Sequence, residues 1–220
     1  SMGKSSETTQ VFRSAQGIRS YSSTDENLFF RGLAGQLKYK HLEFFPFISL
    51  NKLDASVDTL DGKPYFGAFQ TSGYHRTGSE ISGENALTQL TGGGHLTYSY
   101  DRWSFGVTTV YNRFNVRMNR DDEPYNQFLP EGQESLVAGF DWKGSVKNIF
   151  LFGEAAASSN SGRALLTGAM LKPVSNFELS AVYRNINRTY FSYFANAFTE
   201  SSKVNDEQAL YLGTKIFPAP

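Results

Sequence analysis

The chain has 220 residues, 40% of them hydrophobic, 15% aromatic and 19% charged, with 21 basic against 21 acidic side chains. That length suffices for one domain with a sizeable core, and the aromatic content excludes intrinsic disorder, which requires few aromatics and high net charge. Zero net charge gives no overall attraction for nucleic acid, and the lack of cysteine excludes disulfides, thiolate chemistry and zinc–thiolate sites.

No run of about 18 apolar residues occurs, so no transmembrane helix is predicted. A transmembrane β-barrel remains compatible, because its strands are short and alternate between polar and apolar residues. Residues 1–27 read as a polar lead-in, and Ser1 to Gln10 contain no apolar stretch of an export signal.

From there on period 2 fits better than 3.6. The first strand pair is predicted at Leu28–Tyr39 and Leu42–Leu53, turning at Lys40-His41. A long polar connection, 54–88, follows; Tyr65–Thr71 within it is placed as a hairpin arm beyond the barrel rim. Between Gly94 and Asn115 the alternation is clearest. With Asp101-Arg102 as a two-residue turn, Tyr100 opposes Trp103, Tyr98 Phe105 and Leu96 Val107 on one face. Ser99 then opposes Ser104, Thr97 Gly106 and His95 Thr108 on the other, so both strands sort their side chains consistently.

After a second long connection, 116–133, Glu134–Lys143 and Lys147–Ser158 form a pair turning near Gly144-Ser145. In it Leu136, Ala138, Phe140 and Trp142 share one face. A short Ser/Asn/Gly loop, 159–162, leads to a hairpin around Pro173-Val174-Ser175, where Leu171 is expected to face Phe177, Ala169 Leu179 and Thr167 Ala181. The last long connection, 187–207, precedes a strand at Ala209–Phe217 with Leu210, Leu212 and Ile216 on one face.

Tight and long connections thus alternate, giving about nine strands over 28–217 in a meander with turns at one end and long loops at the other. Outer-membrane barrels have this asymmetry. Eight steps from Trp103 to Tyr111 make about 26 Å of strand at roughly 3.3 Å per residue. Tilted by about 40°, that projects to roughly 20 Å, close to the ~25 Å apolar band, with Trp103 and Tyr111 at its edges. The fold expected is all-β, an antiparallel up-and-down meander forming part of a transmembrane outer-membrane barrel. From an odd strand count and a Pro-containing end, Phe217-Pro218-Ala219-Pro220, the chain is expected to be an excerpt of a longer barrel. A soluble β-sandwich with an aromatic core shows the same alternation and is the competing fold.

Candidate chemistry is sparse. Gly3-Lys4-Ser5 lacks the preceding glycine and spacer of a phosphate loop, and Thr91-Gly92-Gly93-Gly94 reads as a place where a strand bends or bulges. His41, His75 and His95 have no metal-ligand spacing. His95 with Ser99 or Ser104 is the one conceivable hydrolase arrangement, weighed against a plain polar lumen residue. Asp121-Asp122-Glu123 lacks the alternating oxygen ligands of a calcium loop. Tyr190, Phe191, Tyr193, Phe194 and Phe198 in loop 187–207 are expected to pack over the barrel mouth. Arg31, Glu154, Glu178 and Arg184 are expected to face the lumen, because charge facing lipid is costly. No catalytic, cofactor-binding or metal-ligating residue is assigned, and no cofactor.

Several strings together carry a resemblance: Tyr21-Ser22-Ser23-Thr24-Asp25-Glu26 with Phe29-Phe30-Arg31-Gly32; Gly73-Tyr74-His75-Arg76-Thr77 with Ser79-Glu80; Phe152-Gly153-Glu154; Tyr183-Arg184-Asn185; and Phe198-Thr199-Glu200, Asn205 and Leu210-Tyr211-Leu212-Gly213. In order and spacing, from about Gly3 to Pro218, they resemble the C-terminal barrel region of large Gram-negative proteins with N-terminal helix-hairpin-helix repeats, commonly named after competence-type DNA-binding proteins. The resemblance implies an outer-membrane location. It implies no DNA binding by this segment, which lacks those repeats, and no site residues. The polar strings around His75 and Arg184 are expected to hold long loops against the rim.

The expected function is therefore non-enzymatic: a pore, transport scaffold or membrane anchor in the bacterial outer membrane. Its expected partners are outer-membrane lipid and periplasmic domains of the same polypeptide, with no identifiable small-molecule ligand. The alternatives are a soluble carbohydrate-binding sandwich and, more remotely, a barrel-embedded lipid hydrolase.

Overall fold

The computed structural model describes residues 29–70, 74–119, 128, 130–174, 176–193 and 206–216. Its strands are β1 (Gly32–Ala34), β2 (Leu37–Tyr39), β3 (Leu42–Leu53), β4 (Ala55–Leu60), β5 (Lys63–Phe69), β6 (Leu87–Tyr100), β7 (Trp103–Met118), β8 (Gly132–Val146), β9 (Ile149–Ser158), β10 (Arg163–Val174), β11 (Phe177–Ile186) and β12 (Glu207–Ile216), with one short helix, α1 (Gly78–Ser82), between β5 and β6. All twelve belong to one sheet, whose main path runs β1-β3-β6-β7-β8-β9-β10-β11-β12. This is an all-β, antiparallel up-and-down arrangement. The sheet is not closed into a barrel: β12 lies at one end of its path and β1, with β2, beside β3 at the other.

Three two-residue turns reverse the chain at the same end of the sheet. Tyr39 pairs with Leu42, Tyr100 with Trp103 and Val146 with Ile149. In all three turns the first residue (Lys40, Asp101 or Lys147) has φ of 52–53°, a left-handed conformation that returns the chain with the twist of the strands. The β6–β7 register matches the predicted one at every pair from His95↔Thr108 to Tyr100↔Trp103.

Other registers differ. The β8–β9 turn is Lys147-Asn148, not Gly144-Ser145, because the ladder continues through Ser145↔Phe150. In β10–β11, Leu171 pairs with Leu179, Ala169 with Ala181 and Thr167 with Tyr183, two residues from the expected partners. A register shift between Leu171 and Val174, at Pro173, absorbs the difference. The first predicted strand is split into β1 and β2 around Gly35-Gln36. Arg31 lies one residue before β1 rather than within a strand.

The long connections are shorter than expected, because β6, β7 and β8 run further toward the loop end. Connection 54–88 contains the β4–β5 hairpin, closed by Asp61-Gly62 with φ of 51° and 72°. The arm predicted at Tyr65–Thr71 is β5, and it folds back to pair in parallel with the end of β7 through Tyr65↔Arg117 and Phe66↔Met118. Its return places Phe66 in the largest buried cluster, with Leu53, Ala55, Leu87, Phe114, Val116 and Met118. A smaller cluster forms around Phe152 and Val182. Both lie on the same side of the sheet, called here the inner face.

Candidate functional site: an outer apolar belt and an inner polar row

Strand β7 shows how the two faces are built. On the outer face Phe105, Val107, Thr109 and Tyr111 are followed by Arg113, Asn115 and Arg117. On the inner face Gly106, Thr108, Val110 and Asn112 are followed by Phe114, Val116 and Met118. The two faces exchange character at Tyr111. Toward the turns the outer face is apolar and the inner face largely polar; beyond Tyr111 the outer face is charged and the inner face apolar.

On neighbouring strands the outer face also turns polar toward the loop end, each at its own position along the strand. Glu134 on β8 lies across from Arg113, 3.6 Å away as an exposed ion pair, and Arg117 pairs with Glu131 at 3.4 Å. On the turn side of Glu134 the outer face of β8 runs Leu136, Ala138, Phe140 and Trp142. On β3 the outer residues Phe44, Ile48 and Leu50 give way to Lys52. On β11 and β12, Asn185 and Gln208 both reach the Tyr183 hydroxyl, while Leu179, Leu210, Leu212 and Ile216 lie exposed nearer the turns. Toward the turn end the belt becomes aromatic. Trp103, Phe105, Phe140 and Trp142 stack in succession with centroids 5.9–6.3 Å apart. Tyr98 and Tyr100 continue the row to His41, whose ring meets theirs edge-on.

The inner face holds the polar groups. Asn112 Oδ1 accepts hydrogen bonds from Thr91 Oγ1 at 2.8 Å and Gln89 Nε2 at 3.3 Å, all three buried. Nearer the turns His95 Nδ1 lies 2.7 Å from Thr108 Oγ1 and 3.8 Å from Asp141 Oδ2. Asp141 is the cross-strand partner of Glu154, and Glu154 of Leu166, which pairs with Arg184. Arg184 is fully buried; it bonds to Glu207, donates to the Tyr211 hydroxyl at 2.7 Å, and stacks on the Tyr211 ring at 5.0 Å. Glu154, Glu178 and Arg184 thus share one face of the sheet.

His95 is not brought beside Ser99 or Ser104. Ser99 and Ser104 lie four residues along their strands from His95 and Thr108, and Ser99 donates to Ser104 at 3.3 Å. Thr108 and Asp141 both approach Nδ1 of His95, whereas a proton relay needs nucleophile and carboxylate on opposite ring nitrogens. Thr108, Asp141 and Glu154 were not legible as a group, since their proximity depends on strand register. Gly92, Gly93 and Gly94 neither bulge nor break register; a side chain at Gly93 would meet Phe47 and the Thr109 carbonyl, and one at Gly94 the Phe44 ring. Among the described residues no group of three or more His, Asp or Glu side chains is placed to hold a metal. Gly3-Lys4-Ser5, Asp121-Asp122-Glu123, Phe194 and Phe198 lie outside the described residues.

At the loop end the polar string around His75 organises its own connection, whereas Arg184 binds the neighbouring strand β12 rather than a loop. Thr77 caps α1 and Glu80 closes a capping box, accepting from the amides of Arg76 at 2.8 Å and Thr77 at 3.0 Å. Those two amide bonds hold the Glu80 carboxyl below its usual range. His75 bonds to Asp54 at 3.0 Å, Asp54 accepts from the Asn85 amide at 2.8 Å, and the Arg76 guanidinium lies 3.8 Å from the centre of the Tyr74 ring. Burial first, and the Glu154 carboxylate second, push the Tyr190 phenol upward.

No family model matches this chain. No curated protein and no solved structure matches it either.

Proposed function

We propose that this sheet is part of a transmembrane β-barrel in the bacterial outer membrane and that it serves, without catalysis, as a membrane anchor or transport scaffold for the polypeptide that carries it. The observation behind this reading is the exchange of faces on β7 at Tyr111, together with the change of the outer face of β8 from charged Glu134 to apolar Leu136, Phe140 and Trp142. A soluble sandwich buries one face along the whole strand, so its polarity pattern continues from end to end. A strand that crosses lipid and then emerges must present apolar atoms outward at one depth and charged ones beyond it. The outer belt, aromatic near the turns and bounded by Tyr111 and Tyr183 toward the loops, has the required order, and its height of about 20 Å suits a bilayer.

Two further observations favour it. A sandwich would cover the belt with a second sheet, yet among the described residues the hairpin off the main path of the sheet, β4–β5, sends Phe66 into the inner-face cluster. The resemblance to the barrel region of helix-hairpin-helix proteins agrees in location and supplies the periplasmic domains that such an anchor would hold.

The test is expression of the complete gene in a Gram-negative host, followed by electrophoresis of outer-membrane fractions with and without boiling. The expected result is a band in that fraction that migrates differently when boiled. A detergent-independent soluble product with no shift would overturn the proposal and favour the sandwich.

A further inference from the structure

The segment after β11 does not leave the sheet directly. Tyr190 is buried against Gly162, in the β9–β10 connection, where any side chain would collide with the Tyr190 backbone. Asn160 donates its amide to the Thr189 carbonyl, and Ser158 Oγ accepts from the Phe191 amide at 3.5 Å. Three residues on, Tyr193 reaches β7 and β5. Its ring meets Phe114 at 5.2 Å and Phe69 at 6.0 Å, and its hydroxyl lies 3.6 Å from Met118 Sδ. Residues Asn187–Tyr193 therefore run from β11 past the β9–β10 connection to the β7 side of the sheet, a chord across the loop end of the inner face.

The β4–β5 hairpin meets this chord from the other side. Its Phe66 and Phe69 pack on Phe114, and the Asn119 amide donates to the Phe66 carbonyl at 3.1 Å. The contacts are apolar, and their centre, from Leu53 to Met118, is buried. A water-filled lumen would instead keep polar side chains at this level.

We infer that the chord Asn187–Tyr193 and the β4–β5 hairpin together form a displaceable seal across the loop end of the inner face, so that the lumen this sheet lines is closed to solutes in its resting state. The inference rests on the membrane reading above and narrows it: the protein anchors or scaffolds, and conducts only when the seal is displaced.

The test is planar-bilayer conductance of the full-length protein beside a Phe69→Ala/Tyr193→Ala variant, each first checked for the heat-dependent gel shift. The wild type is expected to be silent, and the variant to spend at least tenfold more time open. Steady open conductance by the wild type would overturn the seal while leaving the barrel intact. Silence of both proteins would show that these rings do not hold the closure, and would overturn it equally. Loss of the shift in the wild type would instead sink the membrane reading itself. Should the double variant alone fail to fold, Asn160→Ala with Tyr193→Leu releases the same chord more gently and is read by the same outcomes.

Discussion

Trp142 lies over Gly153, its partner across β8 and β9, so closely that any side chain at that glycine would strike the indole; Trp103 covers Gly144 in the same way. Large rings over glycines fill the outer face where a strand offers no side chain of its own.

Gly153→Val should therefore expel the Trp142 ring and cost about 1–3 kcal/mol, the usual range for overpacking. Gly139→Ala is the contrast: a Cβ there meets nothing nearer than 3.7 Å, and little change is expected. The chain has only two tryptophans, so urea titration followed by indole fluorescence reads this site and its Trp103 counterpart. Equal midpoints for the two variants would refute the packing argument.

Arg184 makes a different demand. Its fully buried guanidinium faces Glu207 and Tyr211, and removing one member of such a pair leaves a charge without its counter-ion. Arg184→Met should cost about 3–5 kcal/mol, and adding Glu207→Gln should recover part of it. The readout is the temperature at which the folded gel band disappears. A double variant no better than the single one would show that the charge on Glu207 is not what the first substitution stranded.

How far the residues alone revealed this arrangement depended on what side-chain alternation can encode. The β6–β7 register was readable because Asp101-Arg102 fixes the turn and both strands sort their faces cleanly. The β10–β11 register was not, because a slip of two residues keeps every side chain on its original face. Only the irregularity at Pro173 distinguishes the two. Arg113 to Met118 keeps strict alternation with its polarity reversed; the strand was readable as far as Asn115, and its last residues, 116–118, emerged only once Phe66 and Gly132 were seen to pair with Met118. The inner grouping of His95, Asp141 and Glu154 joins three strands and has no local signature. The aromatic loop, in contrast, could be placed from composition: Tyr190 and Tyr193 do pack across the loop end.

The capping box at α1 gives a pH dependence of known sign. Glu80 accepts two amide hydrogen bonds as a carboxylate, so its pKa in the folded loop lies below the ordinary 4.5. Its contribution is complete above that value and is lost as pH falls through the lower, folded-state pKa. Limited proteolysis between Tyr74 and Asn85 should accelerate in that acid range for the wild type. Glu80→Gln should be faster already at neutral pH and flatter with pH, and Thr77→Ala should lose about 1 kcal/mol of local protection through its cap. A wild-type cleavage rate that stays constant into the acid range would remove Glu80 as the latch.

The decisive substitution for the membrane reading is at Val107, on the outer face midway between Trp103 and Tyr111 and 49% exposed. In a soluble sheet an exposed valine replaced by arginine changes stability by about 0.5 kcal/mol or less in either direction. At the middle of a bilayer the same change costs about 2–4 kcal/mol, falling to about 0–1 near the interface. Val107→Arg should thus be strongly destabilising in refolding titrations into phospholipid vesicles. Asn185→Arg, on the outer face just beyond Tyr183, should be nearly silent. The depth dependence carries the argument, because general disruption of the sheet would not follow distance from the belt's centre. Equal and small effects at both positions would mean that the belt meets water, and the exchange of faces at Tyr111 would then need another cause.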